Sequence, residues 1–213
     1  MTEAEWLACA DPDVLLSALR EQASDRKLRL YGVSCCRRIW HLLRDPRSQH
    51  AVECVELVAE GYLPVNSLRM ARLYADQAAD YSHGGPALVA YDLVYDPPFD
   101  AVAVAAQRAA GVRADAEGTN AAAESESEAQ LHLLRDIFGN PFRPAAIDPS
   151  WLTSTVVALA RGIYEERAFD RMPILADALQ DAGCDNEDVL GHCRGPEPHV
   201  RGCWVVDLLL GKE

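Results

Sequence analysis

No apolar run in this 213-residue chain approaches the roughly 20 residues that a helical membrane span needs. That excludes an integral helical membrane protein and leaves a membrane without a role as partner. Aromatic residues are scarce, at 7%, while alanine and leucine are abundant. Sheets draw on aromatic and β-branched side chains, so this balance favours helix. Positive charge is outnumbered: 20 lysines and arginines face 33 aspartates and glutamates, for a net charge of −13. A chain this acidic repels phosphate backbones, so nucleic acid is not expected as the partner of the whole molecule. None of the seven cysteines sits in a C-x-x-C pair. The N-terminus reads Met1-Thr2-Glu3-Ala4-Glu5-Trp6, with acids where a secretory leader carries bases. A cytoplasmic location is therefore expected, with free thiols rather than a disulfide framework.

Catalytic signatures are missing too. Phosphate loops, a dinucleotide fingerprint, H-E-x-x-H and G-x-S-x-G do not occur. Glu165, Glu166, Asp170, Asp177 and Asp181 fall on expected helices, but no E-x-x-H accompanies them, so a helical di-iron centre is unsupported. An enzyme is the less favoured class, and no catalytic residue is assigned.

Helix punctuation, by contrast, recurs. Thr2 and Glu5 have the spacing of a capping box. Asp-Pro pairs at Asp11-Pro12, Asp45-Pro46 and Asp148-Pro149 combine an N-cap with a proline whose missing N–H costs nothing at the first helical position. Ser24 and Asn66 look like further N-caps. Gly61, Gly139, Gly183 and Gly211 follow periodic apolar stretches, as C-terminal caps do. These marks predict helices near 3–9, 12–21, 25–44, 46–60, 67–81, 99–112, 126–138, 151–167, 172–182, 186–194 and 199–210. The best strand candidate is Ala87–Tyr91, short and next to Gly84-Gly85-Pro86. No fixed-period repeat argues for a solenoid. The expected fold is all-α, an irregular multi-helix bundle organised as two helical subdomains. Residues 1–112 form the N-terminal part and 129–213 the C-terminal part. Residues 113–128, with five acids and one base, are expected to be an acidic loop or linker.

The helix near 25–44 can be read by angle, at about 100° per residue. Leu28, Tyr31, Cys35, Ile39 and Leu42 share one stripe, Arg26, Arg37 and Arg44 the opposite one, with Leu30, Val33 and Trp40 between them. A helix apolar on most of its circumference belongs inside the fold. Its bases (Arg26, Lys27, Arg29, Arg37, Arg38 and Arg44) suit either a phosphate contact or neutralisation by acids of neighbouring elements. Cys35, centred in the apolar stripe, reads as core. Nothing near Cys35-Cys36 and His41 supplies both the base and the exposure of a catalytic thiol.

The segment 184–203 concentrates potential metal ligands: Cys184, His192, Cys193, His199 and Cys203. On a helix His199 and Cys203, four apart, would share a face, and the turn Gly195-Pro196-Glu197-Pro198 could bring His192 or Cys193 alongside. Zinc takes about four nitrogen or sulfur donors in a tetrahedron, which this stretch can supply. The spacing matches no finger, ribbon or knuckle. The competing reading is packing, with the cysteines acting as small apolar residues. On packing no cofactor is expected; on the other reading the cofactor is zinc. The last helix is apolar nearly all round, through Trp204, Val205, Val206, Leu208, Leu209 and Leu210, so it must be buried centrally or docked on another chain.

The stretches SDRKLRLYGVSCCRRIWHLL, LLRDIFGNPFRP and ILADALQDAGCDNEDVLGHCRGPEPHVRGCWVVDLLLGKE resemble a large family of uncharacterised bacterial proteins, often present as many paralogues in one genome. The resemblance spans most of the chain outside roughly 83–128. It implies a domain family and brings no activity, cofactor or catalytic residue with it. Three functional readings follow. The first is a helical interaction or scaffold protein whose partner is another protein. The second is a small metal-binding regulatory protein using the 184–203 cluster. The third is an enzyme of unknown type.

Overall fold

The computed structural model describes residues 1–82, 85–195 and 198–212. About 74% of it is helical, in twelve α-helices with no strand among the described residues, so the chain is all-α. No described helix is long and apolar enough to cross a membrane. Two compact units divide the chain, Glu3–Leu134 and Arg135–Glu213.

The first unit contains α1 (Glu3–Ala8), α2 (Pro12–Ala18), α3 (Asp25–Arg38), α4 (Pro46–Ala59), α5 (Leu68–Ser82), α6 (Gly85–Leu93), α7 (Pro98–Glu117) and most of α8 (Asn120–Phe138). The expected caps form: Asp11 accepts from the Asp13 N–H, Asp45 from the Arg47 N–H, and Ser24 from the Lys27 N–H. At the centre lies α3, packed on α4, α6 and α7. Every residue from Leu28 to Cys36 is buried, as a helix apolar on most sides requires. Gly32 is needed there, because a Cβ would press into the Leu93 and Val102 side chains of α6 and α7, at 2.9 Å from Val102 Cγ2.

Acids from other elements pair with the α3 arginines. Arg26 meets Glu60 (3.2 Å), Arg29 meets Asp96 (2.7 Å), Arg37 meets Glu56 (2.5 Å), and the Arg38 Nε lies at 2.9 and 3.0 Å from both oxygens of buried Glu126. These four bases are internal counter-ions.

Three expectations are corrected in this unit. The strand candidate Ala87–Tyr91 lies inside α6, where Ala87, Val89, Ala90 and Leu93 are buried; a short apolar run has no period of its own, and packing on α7 decides it. Residues 113–128 are helical except at Gly118-Thr119: α7 ends at Gly118 (φ +67) and α8 starts at Asn120. The small residues that suggested a linker make tight helix contacts, with Ala105, Ala106, Ala109 and Val112 buried on α7. Asn66 falls inside a 3-10 turn (Val65–Ser67) rather than capping α5.

The second unit contains the last turn of α8, then α9 (Ser154–Glu166), α10 (Met172–Asp181), α11 (Glu187–Arg194) and α12 (Trp204–Leu210). Thr153 caps α9 and Asn186 caps α11 through hydrogen bonds to the third N–H of each. The core joins Val156, Ala160 and Ile163 of α9 to Leu175, Ala176 and Leu179 of α10, Val189 of α11, and Val205, Val206 and Leu209 of α12. The helix expected at 199–210 starts only at Trp204. Gly202 (φ +93) and Cys203 (φ −47, ψ 124) are non-helical, so His199 is not on the same helix as Cys203.

Candidate metal centre

Three elements of the C-terminal unit meet at one point. Asp136 projects from the last turn of α8, His192 from α11, and Cys203 from the residue just before α12, while His199 comes from the connecting segment. Their donor atoms all lie within 4.8 Å of one another, the one such group among the described residues. Asp136 Oδ1 is 2.7 Å from His199 Nδ1 and 3.1 Å from His192 Nε2. Cys203 Sγ is 3.2 Å from His192 Nε2 and 4.0 Å from His199 Nδ1. The Asp136 and Cys203 side chains are fully buried, that of His199 is 5% exposed and that of His192 14%.

Local geometry holds these atoms in place. The Val200 N–H donates to Asp136 Oδ2 at 2.9 Å, leaving Oδ1 directed at the histidines. The two imidazoles stand edge to face with centroids 4.7 Å apart, and the Trp204 ring tilts against His192 at 5.1 Å. Gly139 (φ +65), just after α8, gives Trp204 room: a Cβ there would sit 3.1 Å from the indole. The positive φ values at Gly139 and Gly202 suit glycine, which has no Cβ to clash.

Burial and neighbouring groups set the electrostatics of Asp136 and Cys203. Burial works against charge on Asp136, yet hydrogen bonds from His192 and His199 outweigh it and hold the carboxyl below its usual range. The Cys203 thiol is pushed far up, first by burial and next by the Asp136 charge, while the Val206 and Val205 N–H groups pull it partway back. A buried carboxylate beside a buried thiol is the arrangement that a cation stabilises, by balancing one charge and taking the proton's place on the other.

The same distances discriminate between a metal centre and a thiol–imidazole–carboxylate triad. In a triad one ring nitrogen faces the nucleophile and the other faces the carboxylate. Here a single nitrogen of each histidine faces both: Nε2 of His192 and Nδ1 of His199. One nitrogen cannot accept the thiol proton while donating to the carboxylate. Four donors converging on one point suit a shared cation. Zinc bonds of about 2.0–2.1 Å to nitrogen and oxygen and about 2.3 Å to sulfur set tetrahedron edges of about 3.3 and 3.6 Å. Three of the four distances, at 2.7, 3.1 and 3.2 Å, are shorter than those edges and the fourth, at 4.0 Å, is longer, so an ion at the centre would spread the carboxylate from the imidazoles by a few tenths of an ångström. Two imidazoles, a thiolate and a carboxylate suit zinc and its tetrahedral analogues, whereas calcium and magnesium take all-oxygen shells.

Of the five ligands proposed from sequence, His192, His199 and Cys203 are in this cluster. Cys184 and Cys193 lie instead among Val189, Leu179 and Val206 in the apolar core. Burial pushes the Cys193 thiol up to about 12 and raises that of Cys184. Adjacent residues on α11 point about 100° apart, so His192 and Cys193 face different neighbours. The turn expected at Gly195-Pro196-Glu197-Pro198 falls partly outside the described residues.

Sequence reasoning missed Asp136. A signal existed: it is a lone acid among Leu131, Leu133, Leu134, Ile137 and Phe138, on the buried side of its helix. A carboxylate in such a stripe requires a partner. No protein-family model, curated protein or solved structure matches the chain.

Proposed function

We propose that this chain is a helical metal-binding protein whose C-terminal unit holds one zinc-class divalent ion on Asp136, His192, His199 and Cys203. One observation carries the reading: each histidine turns a single nitrogen to both the carboxylate and the thiol. Binding deprotonates Cys203 and keeps both imidazoles neutral, so two anionic and two neutral donors leave the ion with little net charge in a dry site. The test is metal content of the full chain together with cobalt substitution. One equivalent per chain is expected, with tetrahedral cobalt absorption and a sulfur-to-cobalt charge-transfer band that Cys203→Ala removes and Cys184→Ala retains. Absence of uptake, or a charge-transfer band insensitive to Cys203→Ala, refutes the reading.

A second reading, a scaffold that docks another protein, is favoured by the outward-facing Tyr62, Val65, Met70 and Leu73 of the α4–α5 hairpin. Its test is whether Met70→Asp with Leu73→Asp, in a chain that keeps its melting temperature, abolishes cross-links formed by the wild-type protein in its native cells.

A further inference from the structure

The role of the ion follows from what carries its ligands, and it rests on the metal reading above. Four protein donors complete a tetrahedron, which leaves no position for a substrate or an activated water; closed centres of this kind are structural. The helices that carry or flank three of those donors are short. Helix α11 has 8 residues and α12 has 7, both below the roughly 12–15 at which an isolated helix becomes even marginal in water. Their order has to come from what they touch.

Asp136 is a polar point through which the last turn of α8 meets them. The buried residues of the C-terminal core run from Trp151 to Leu209 and include none from α8. Asp136 instead uses both carboxylate oxygens on the 192–203 region: Oδ1 faces the two histidines, and Oδ2 takes the Val200 N–H. Trp204 against Gly139 is the apolar part of the same junction. Hydrogen bonds from His192, His199 and the Val200 N–H hold this fully buried carboxylate, and an ion at the same point adds opposite charge and ties the segments that carry these donors together. The other ring nitrogen of His199, Nε2, is buried with no hydrogen-bond partner. A junction with these groups gains more from an ion than the surrounding apolar core does.

We infer that the ion is a conformational staple, and that its occupancy decides whether α11, the segment before α12 and α12 itself are held in the C-terminal unit. With the ion, α8, α11 and α12 are locked at one point. Without it, the 187–210 region opens locally while α3, α4 and α7 in the other unit keep their order. Both helices also pack in the apolar core, and a ligand that binds only their closed arrangement shifts the balance according to its free concentration.

Hydrogen exchange on the full chain tests this, with zinc-loaded protein compared with protein whose metal loss is verified by elemental analysis. A ligand that binds only the closed state suppresses opening in proportion to its concentration over Kd, so at a hundredfold excess exchange slows about 100-fold. The Val200 amide and those of Val205, Val206 and Asp207 are expected to speed up about 100-fold or more when the ion is removed, and those of α3 to stay unchanged. His192→Ala, checked for helical content, is expected to exchange fast in these places with or without zinc. If zinc binds and leaves but these amides exchange alike in both states, the staple fails while the metal reading stands. If opening spreads equally to α3, the ion governs the whole chain and the local switch is overturned. If zinc never binds, the metal reading itself fails.

Discussion

Replacing Asp136 with asparagine separates a metal ligand from an ordinary buried hydrogen-bond acceptor. The amide oxygen can still take the Val200 N–H, which Asp136 Oδ2 accepts at 2.9 Å, and the size of the side chain is unchanged. What disappears is the anionic donor. Structural zinc sites bind with about 10–16 kcal/mol over four ligands, or roughly 3–4 kcal/mol each, so losing one weakens affinity by about two to three orders of magnitude. At zinc concentrations that saturate the wild type, that removes about 3–4 kcal/mol of metal-linked stability, or roughly 5–15 °C in Tm for a chain of this size. In chelator that metal-linked share is absent. The wild-type carboxylate is then fully buried but held below its ordinary range by hydrogen bonds from His192 and His199, so neutralising it costs only the charge-assisted part of those bonds. Asp136→Asn is therefore expected to melt well below wild type in zinc and only slightly below it in chelator. Differential scanning calorimetry in the two buffers measures the difference between the two losses. An equal loss in both conditions refutes the argument, since it would make Asp136 a hydrogen-bonding residue with no metal to hold.

Other expectations can be checked with simple assays. Cys9 is the one cysteine that is not buried, while burial pushes Cys36 and Cys193 up to about 12 and Cys35 well above its ordinary range; a bulky disulfide reagent at pH 8 should titrate one fast thiol natively and seven after denaturation, and rapid native labelling of Cys35 contradicts the packing of α3. Gly32→Ala forces a methyl onto Val102 and should cost about 1–3 kcal/mol by overpacking, read as a lower urea midpoint; an unchanged midpoint refutes that contact. Side-chain hydrogen bonds from Arg47 hold the Asp45 carboxyl below its ordinary 3.8. Its contribution is present above that value and lost as pH falls through the lower folded one, so Asp45→Asn should flatten the acid limb of the stability profile below pH 4; an unaltered limb shows the cap is silent.

Local chemistry explains what could be read from the residues alone. Asp11, Ser24, Asp45 and Asp148 cap because a side-chain oxygen two or three bonds from Cα reaches the nearby N–H groups wherever it stands. The burial of α3 was legible because apolar residues cover most of its circumference. His192, His199 and Cys203 were legible as candidates because their chemistry is rare and they sit close in sequence. These are short-range properties, and the sequence by itself determined them.

Only the tertiary structure decided the rest. Asp136 is 56 positions before His192 (192 − 136), and no local pattern links a carboxylate on one helix to an imidazole on another. The pairing comes from how α8 ends at Gly139 and where Trp204 packs. The choice of His192 over Cys193 needed the orientation of α11, since both residues have ligand chemistry and only its core-facing side tells them apart. The fate of Ala87–Tyr91 and of residues 113–128 needed the partners α6, α7 and α8 find, because runs of small and apolar residues carry too little periodicity to choose a conformation alone. Even the meeting of His199 with Cys203, expected from a helical i,i+4 spacing, arises from a turn at Gly202 that the spacing does not encode.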